Sequence, residues 1–355
     1  MKITDIKFEK ASFRFNEPMK VAFAIMEGYD TLVLKMETDE GIVGYGESGP
    51  LEFVTGDNLD TVMIVGKQFR DILIGENPLA IGHIHGLMDG KYAYNTSIKA
   101  AIDIACYDIA SKKMGVPLYQ FLGGARNTIV SDVTIGMGTP EDMAAKSADW
   151  AAKGWSKLKI KLGENIETDA LRMRKVREAV GEKVVLRVDA NQGWNVKDAI
   201  QIAKELEALH VELIEQPVVH WDLDGLAEVK RAVNIPVVAD ESCHSPADAA
   251  KLAKMRAVDG MNIKLMKCGG IYNALKINAV AEANNLYCMI GCMGESRIAN
   301  AAGMHVAAAL RNIKKVDLDT TFFTQSSWIK GGFENVGGTC TLLDKPGIGV
   351  TVENF

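Results

Sequence analysis

No stretch of this chain approaches the ~18–20 consecutive apolar residues of a membrane span, so none of it is expected to cross a bilayer. It has no C-x-x-C pair: its six cysteines, at 106, 243, 268, 288, 292 and 340, are scattered. Met1-Lys2-Ile3-Thr4-Asp5 opens directly into strand-like alternation with no signal-peptide pattern. Together these absences imply reduced thiols in a cytoplasmic protein. There is no excess of positive charge; the formal net charge is −6, which gives a nucleic-acid role no electrostatic support. Low-complexity and Pro-rich linkers are missing too, so its parts are expected to pack firmly. What is present is 355 residues, 48% hydrophobic and 24% charged. That is enough for one barrel-sized domain plus a smaller one.

Residues 1–50 read as antiparallel strands, with Thr31 to Thr38 a β-rich run and Asp39-Glu40-Gly41 a turn. Segments 58–74 and 97–113 carry helical spacing. Strands followed by helices mark a separate α+β unit over 1–122. Gly44-x-Gly46 reads as a strand turn there, since no phosphate-binding helix pattern follows. After Gly123-Gly124 the texture changes. Strand-like runs near 129–135, 156–161, 184–189, 212–215, 236–239, 261–264, 287–290 and 315–318 alternate with helix-like segments. Two of those helices open on Thr139-Pro140 and Ser245-Pro246, with proline at the first helical position. The alternation predicts an α/β fold, a parallel (β/α)-barrel of the TIM-like type over 123–325. The Gly-rich stretch 326–355 is expected to return and pack on the first unit.

Charged residues punctuate the barrel pattern. Lys161, Asp189, Glu215, Asp240 and Lys264 each end a strand-like run, at steps of 28, 26, 25 and 24 residues. Each step is one strand, one helix and two loops, so all five side chains should ring one mouth. Three carboxylates from neighbouring strands suit a hard cation such as Mg²⁺, which takes oxygen ligands and leaves positions for substrate. The lack of His or Cys at these positions argues against zinc. Lys161 and Lys264 flank the acids and can serve as two bases on opposite faces of a metal-bound substrate. Lys159 shares a face with Lys161, and its charge is expected to draw the Lys161 pKa down.

Five motifs together resemble the enolase superfamily in its muconate-lactonising-enzyme subgroup: Lys159-Ile-Lys161, Asp189-Ala-Asn191, Glu215-Gln-Pro217, Asp240-Glu-Ser242, and Lys264 before Gly269-Gly270. The resemblance covers nearly the whole chain. It implies a capping domain on a modified (β/α)7β barrel, one Mg²⁺ on Asp189, Glu215 and Asp240, Lys161 and Lys264 as the acid/base pair, and Lys159 against the substrate carboxylate. It further implies a homo-oligomer.

Asp317-Leu318-Asp319 would place two carboxylates on one face of the eighth strand, a site for a free α-ammonium group. This Asp-x-Asp resembles the signature of dipeptide epimerases, and its first aspartate follows Lys264 by 53 residues as in that family. Thr134 and Cys292 match pocket-lining positions, Cys292 in a packing role. Dipeptide epimerases that act on Ala-Glu place an arginine in the first capping loop, where this chain has Ala24. With Phe23, Ile25 and Phe53 it would form an apolar lining, from loops near 16–26 and 50–57. The expected activity is therefore Mg²⁺-dependent epimerisation, through an enediolate, of a dipeptide with a hydrophobic second residue. Alternatives on the same scaffold are an o-succinylbenzoate synthase, a muconate-type cycloisomerase and an N-acylamino-acid racemase.

Overall fold

In a computed structural model the described residues are 1–355 except Gln325, Ser327 and Asn354. Three antiparallel strands come first, β1 (Ile3–Val21), β2 (Ala24–Thr38) and β3 (Val43–Ser48), in the order β1-β2-β3. Helices α1 (Glu52–Thr55), α2 (Leu59–Leu73), α3 (Ile81–Lys91), α4 (Thr96–Met114) and α5 (Leu118–Phe121) follow. The apolar face of the sheet, through Ile6, Leu34 and Met36, packs on Phe69 of α2 and Ile98 and Ile102 of α4 to form one core. Gly44 and Gly46 are not a turn; they lie inside β3. A Cβ on Gly46 would come within 1.8 Å of the Ala101 carbonyl oxygen, so the glycines let strand and helix backbones approach.

The expected first barrel strand is two strands. β4 (Thr128–Val130) leaves the barrel, and after Ser131-Asp132 the chain enters it as β5 (Val133–Ile135). Then come α6 (Pro140–Ala152), β6 (Lys157–Lys161), α7 (Ile166–Val180), β7 (Val185–Asp189), α8 (Val196–Ala208), β8 (Val211–Glu215), α9 (Leu223–Ala232) and β9 (Val237–Ala239). The series continues with α10 (Pro246–Met255), β10 (Gly260–Lys264), α11 (Leu265–Cys268), α12 (Ile271–Ala283), β11 (Tyr287–Gly291), α13 (Arg297–Ala309) and β12 (Ile313–Asp317). Strands β5 to β12 form one parallel sheet in sequence order. Seven of them are followed by a full helix and β12 only by the one-turn α14 (Thr320–Phe323), which is the (β/α)7β pattern. The sheet curls until its edges meet: the Asp132 N–H donates to the Val316 carbonyl at 3.1 Å. Prolines 140 and 246 open α6 and α10, where the Thr139 and Ser245 side chains accept N–H groups of the first turn.

The chain ends in β13 (Ile329–Gly331), β14 (Phe333–Val336), β15 (Thr339–Leu342) and β16 (Val350–Val352). β15 pairs with β4, Gly347 bridges to Pro117, and Phe355 lies against Tyr45. Two buried acids of the first unit cap barrel helices. Glu47 accepts the N–H groups of Ser296 and Ala299 at the start of α13, at 2.7 and 3.1 Å. Asp103 accepts the N–H of Ile271 at the start of α12, at 2.5 Å. Each satisfies helix donors that lack an intrahelical partner, which fixes the cap over the barrel's carboxyl end. No helix among the described residues is long and apolar enough to cross a membrane.

Candidate active site

The floor of the site is built from three adjacent strands. β7, β8 and β9 deliver Asp189, Glu215 and Asp240 at or just past their carboxyl ends, with one oxygen from each within 4.8 Å of the others. All three side chains are buried, and each is aimed by a neighbour. The Asn191 N–H donates to Asp189 Oδ1 at 2.8 Å, Asn262 Nδ2 donates to Glu215 Oε1 at 2.6 Å, and Lys267 Nζ pairs with Asp240 Oδ1 at 2.5 Å. Lys267, also near a strand end, serves the acid and does not line the cavity.

Lysines stand over this floor from opposite walls. Lys161 Nζ lies 2.7 Å from Asp189 Oδ2, and Lys264 Nζ 2.8 Å from Asp240 Oδ2. Their strands, β6 and β10, are four apart in an eight-stranded sheet, so the two ammonium groups face each other across the mouth. Lys159 lies deeper, 3.0 Å from Asp189, 2.8 Å from Glu215 and 2.6 Å from Asp317.

The electrostatics follow from burial set against these contacts. Burial works against the ionised forms of Asp189 and Asp240, but the lysines outweigh it and hold both pKa values below the ordinary carboxylate range. Glu215 goes the other way: burial, reinforced by its acidic neighbours, pushes it up to about 7 despite Lys159. Burial penalises the ammonium forms of Lys159 and Lys264, yet the surrounding carboxylates keep both pKa values above that of an ordinary lysine. The charge of Lys159 is thus answered by three acids. An oxygen-only trio, buried and crowded enough to drive one member toward its neutral form, has the donor chemistry of a hard divalent cation.

A second acidic group lies where the sheet edges meet. Asp132, Asp317 and Asp319 bring one oxygen each within 4.8 Å. The Thr134 N–H donates to Asp319 Oδ2 at 2.7 Å, and Asp132 pairs with the fully buried Arg187 at 2.5 Å. Asp317 Oδ1 is buried without a hydrogen-bond partner among the described residues. Strand alternation is not what joins Asp317 and Asp319. β12 stops at Asp317, and Asp319 turns back toward it with helical backbone angles, φ −116° and ψ −11°.

Above the floor lies a cavity of about 510 Å³. Lys159, Lys161, Lys264, Thr134, Cys292, Asp317 and Asp319 all reach its lower part, and Phe23, Ala24, Ile25 and Phe53 its upper part. The upper residues come from the β1–β2 hairpin tip and from α1, whose rings meet as Phe23 on Phe53 at 5.2 Å. Lys20 does not reach in; it pairs with Glu164 at 2.6 Å. Arg14 of β1, which sequence reasoning missed, stands exposed on the outer wall, so that wall carries one cation alongside Glu27 and Asp30. Burial pushes the Cys292 thiol well above its usual pKa, and its Sγ rests 3.0 Å from Thr320 Oγ1. Neither His220 nor His244 lines the cavity. Asp132 and Arg187 also escaped notice: a strand-interior arginine is a signal, but its acidic partner is 55 residues away.

Two family models span most of the chain. "Mandelate racemase / muconate lactonizing enzyme, N-terminal domain" matches residues 3–123 and "Enolase C-terminal domain-like" matches 142–354. The chain belongs to the enolase superfamily. Among enolase-superfamily relatives, it is 44% identical over 333 residues to the hydrophobic dipeptide epimerase of Enterococcus faecalis, covering 94% of each chain. It is 42% identical over 353 residues to the L-Ala-D/L-Glu epimerase of Clostridium acetobutylicum, covering 99% of each. The crystal structure of the E. faecalis dipeptide epimerase complexed with Mg and the dipeptide L-Leu-L-Tyr superposes with a TM-score of 0.97 at 42% identity, over 99% of this chain and 100% of that one.

Proposed function

We propose that this member of the enolase superfamily is a Mg²⁺-dependent dipeptide epimerase that inverts the α-carbon of the C-terminal residue, with a hydrophobic side chain preferred there. The observation that carries this reading is the pair Lys161 and Lys264, buried on opposite walls above three convergent carboxylates. One base on each face of a planar intermediate is what inversion by 1,1-proton transfer needs.

Asp189, Glu215 and Asp240 hold the metal. Bound there, Mg²⁺ would offset their charge and supply Lewis-acid chemistry to the substrate carboxylate. Lys161 or Lys264 removes the α-proton from one face and the other returns a proton to the opposite face. Lys159 adds a fixed positive charge at the floor, where negative charge develops. Asp317 and Asp319 receive the α-ammonium group, with the backbone N–H of Thr134 and Lys159 Nζ keeping their carboxylates in place. Phe23, Ala24, Ile25 and Phe53 enclose the second side chain in apolar surface and Cys292 packs the wall.

The same reading divides the chain at 1–122, 123–325 and 326–355, as cap, barrel and return. Six buried, unpaired thiols support a cytoplasmic location, and the family resemblance supports a homo-oligomer. The test is a dipeptide library incubated with the chain and Mg²⁺ in D₂O. A substrate gains one deuterium while its optical rotation changes; absence of both across the library would sink the proposal.

A further inference from the structure

The two lysines are not held alike. Lys264 Nζ has a carboxylate partner, Asp240, at 2.8 Å. Lys161 Nζ has Asp189 at 2.7 Å and, in addition, donates to the side-chain oxygen of Asn191 at 3.0 Å. The Asn191 amide in turn donates to Glu241 Oε1 at 3.3 Å. Glu241 is buried, its Oε2 has no hydrogen-bond partner among the described residues, and both Asn191 and Glu241 line the cavity. Asn191 sits at φ +40°, in the left-handed region that favours glycine. A non-glycine residue kept there costs free energy, and here the side chain that incurs the cost reaches the lysine.

We infer that Asn191 is a positioning residue for Lys161 alone, an arm on the loop after β7 that reaches one of the two bases, with its amide anchored on Glu241 of the loop after β9. The arm fixes the direction of the Lys161 Nζ–H bonds and hence of its lone pair when deprotonated. Among the described residues no side-chain amide bonds Lys264 Nζ, on which Glu241 acts only through its charge, so the two half-reactions depend on different side chains. The inference rests on the two-lysine reading above and adds an asymmetry to it. Proton transfer falls steeply with misplacement, by roughly 10²-fold for an ångström, so loss of the arm should be felt from one face of the substrate.

The experiment measures deuterium wash-in from D₂O, with Mg²⁺, starting separately from L-Ala-L-Phe and L-Ala-D-Phe. Lys161→Arg and Lys264→Arg identify which epimer each lysine deprotonates. Asn191→Gly is the informative variant, because glycine accepts φ +40° without strain and should fold at least as well as the parent. It should slow exchange of the epimer deprotonated by Lys161 roughly tenfold or more relative to the other epimer. Equal slowing of both epimers or an unchanged ratio in Asn191→Gly overturns the inference while leaving epimerisation standing. Failure of the unmodified chain to exchange either epimer overturns both.

Discussion

A dipeptide ending in phenylalanine should outcompete one ending in glutamate, and Ala24→Arg should reverse that order. The upper cavity is built from Phe23, Ala24, Ile25 and Phe53, with Lys20 drawn off to Glu164. Burying a phenylalanine side chain there contributes about 2–3 kcal/mol relative to leaving it in water, roughly 30- to 150-fold in kcat/KM at about 1.4 kcal/mol per decade. A glutamate side chain gains little of this and brings a charge that needs water or a cation. Because Ile25 and Phe53 are 67% and 62% exposed, water still reaches the mouth, so the charge adds only a modest further penalty. The expected preference for L-Ala-L-Phe over L-Ala-L-Glu is therefore on the order of 10²-fold. An arginine at position 24 offers glutamate a charge-assisted hydrogen bond of about 1.5–3 kcal/mol, worth roughly a 10- to 150-fold gain, while its bulk costs phenylalanine part of its contact. The assay is kcat/KM for both substrates by polarimetry. Equal or better turnover of L-Ala-L-Glu by the unmodified chain would refute the reasoning. It would direct attention to Arg14 on the outer wall, whose alanine variant would then lose that activity.

Asp317→Asn and Asp319→Asn should each lower kcat/KM for free dipeptides by about 10²-fold, the scale of one buried charge-assisted contact, and leave the residual rate on N-acetyl dipeptides unchanged; parallel assays of blocked and unblocked substrates decide it. Glu47→Gln puts an amide where Oε2 accepts from Ser296 Oγ at 2.7 Å and the Ala299 N–H at 3.1 Å. It should cost about 1–3 kcal/mol, seen as a lower urea midpoint that moves cap and barrel probes together. His305 is buried and its Nδ1 accepts the Tyr119 N–H at 3.1 Å; burial lowers its pKa from 6.5 to about 4. The unfolded chain therefore takes up a proton that the folded one refuses. The contribution is whole above pH 6.5 and falls away toward pH 4, by on the order of 3 kcal/mol. His305→Asn should flatten that part of a pH series of urea midpoints.

Much of this was legible in the chain. A β/α period imposes itself on sequence because each strand must be apolar to be buried on both faces and each helix must start with a cap. Lys161, Asp189, Glu215, Asp240 and Lys264 stand out because they break that apolar rule at the same place in each repeat. Helix starts at Pro140 and Pro246 are local chemistry and needed no fold to be seen. Gly44 and Gly46 misled, since a glycine that permits close packing looks in sequence like one that permits a turn. The split of the first barrel strand was hidden for a related reason: β4 finds its partner in β15, some 210 residues away, and no local preference records that.

Sequence by itself determined the barrel period, the identity of the strand-end acids and bases, and the apolar hairpin tip, because each is written in nearest-neighbour pattern. Tertiary structure alone decided how those charges are shared. It gave Lys159 to three acids at once, set Asp132 beside Asp317, reserved Asn191 for one lysine, and turned Glu47 and Asp103 into caps for helices of another unit. Those are contacts between residues distant in sequence, and burial, which makes them strong, exists only once the chain has closed around them.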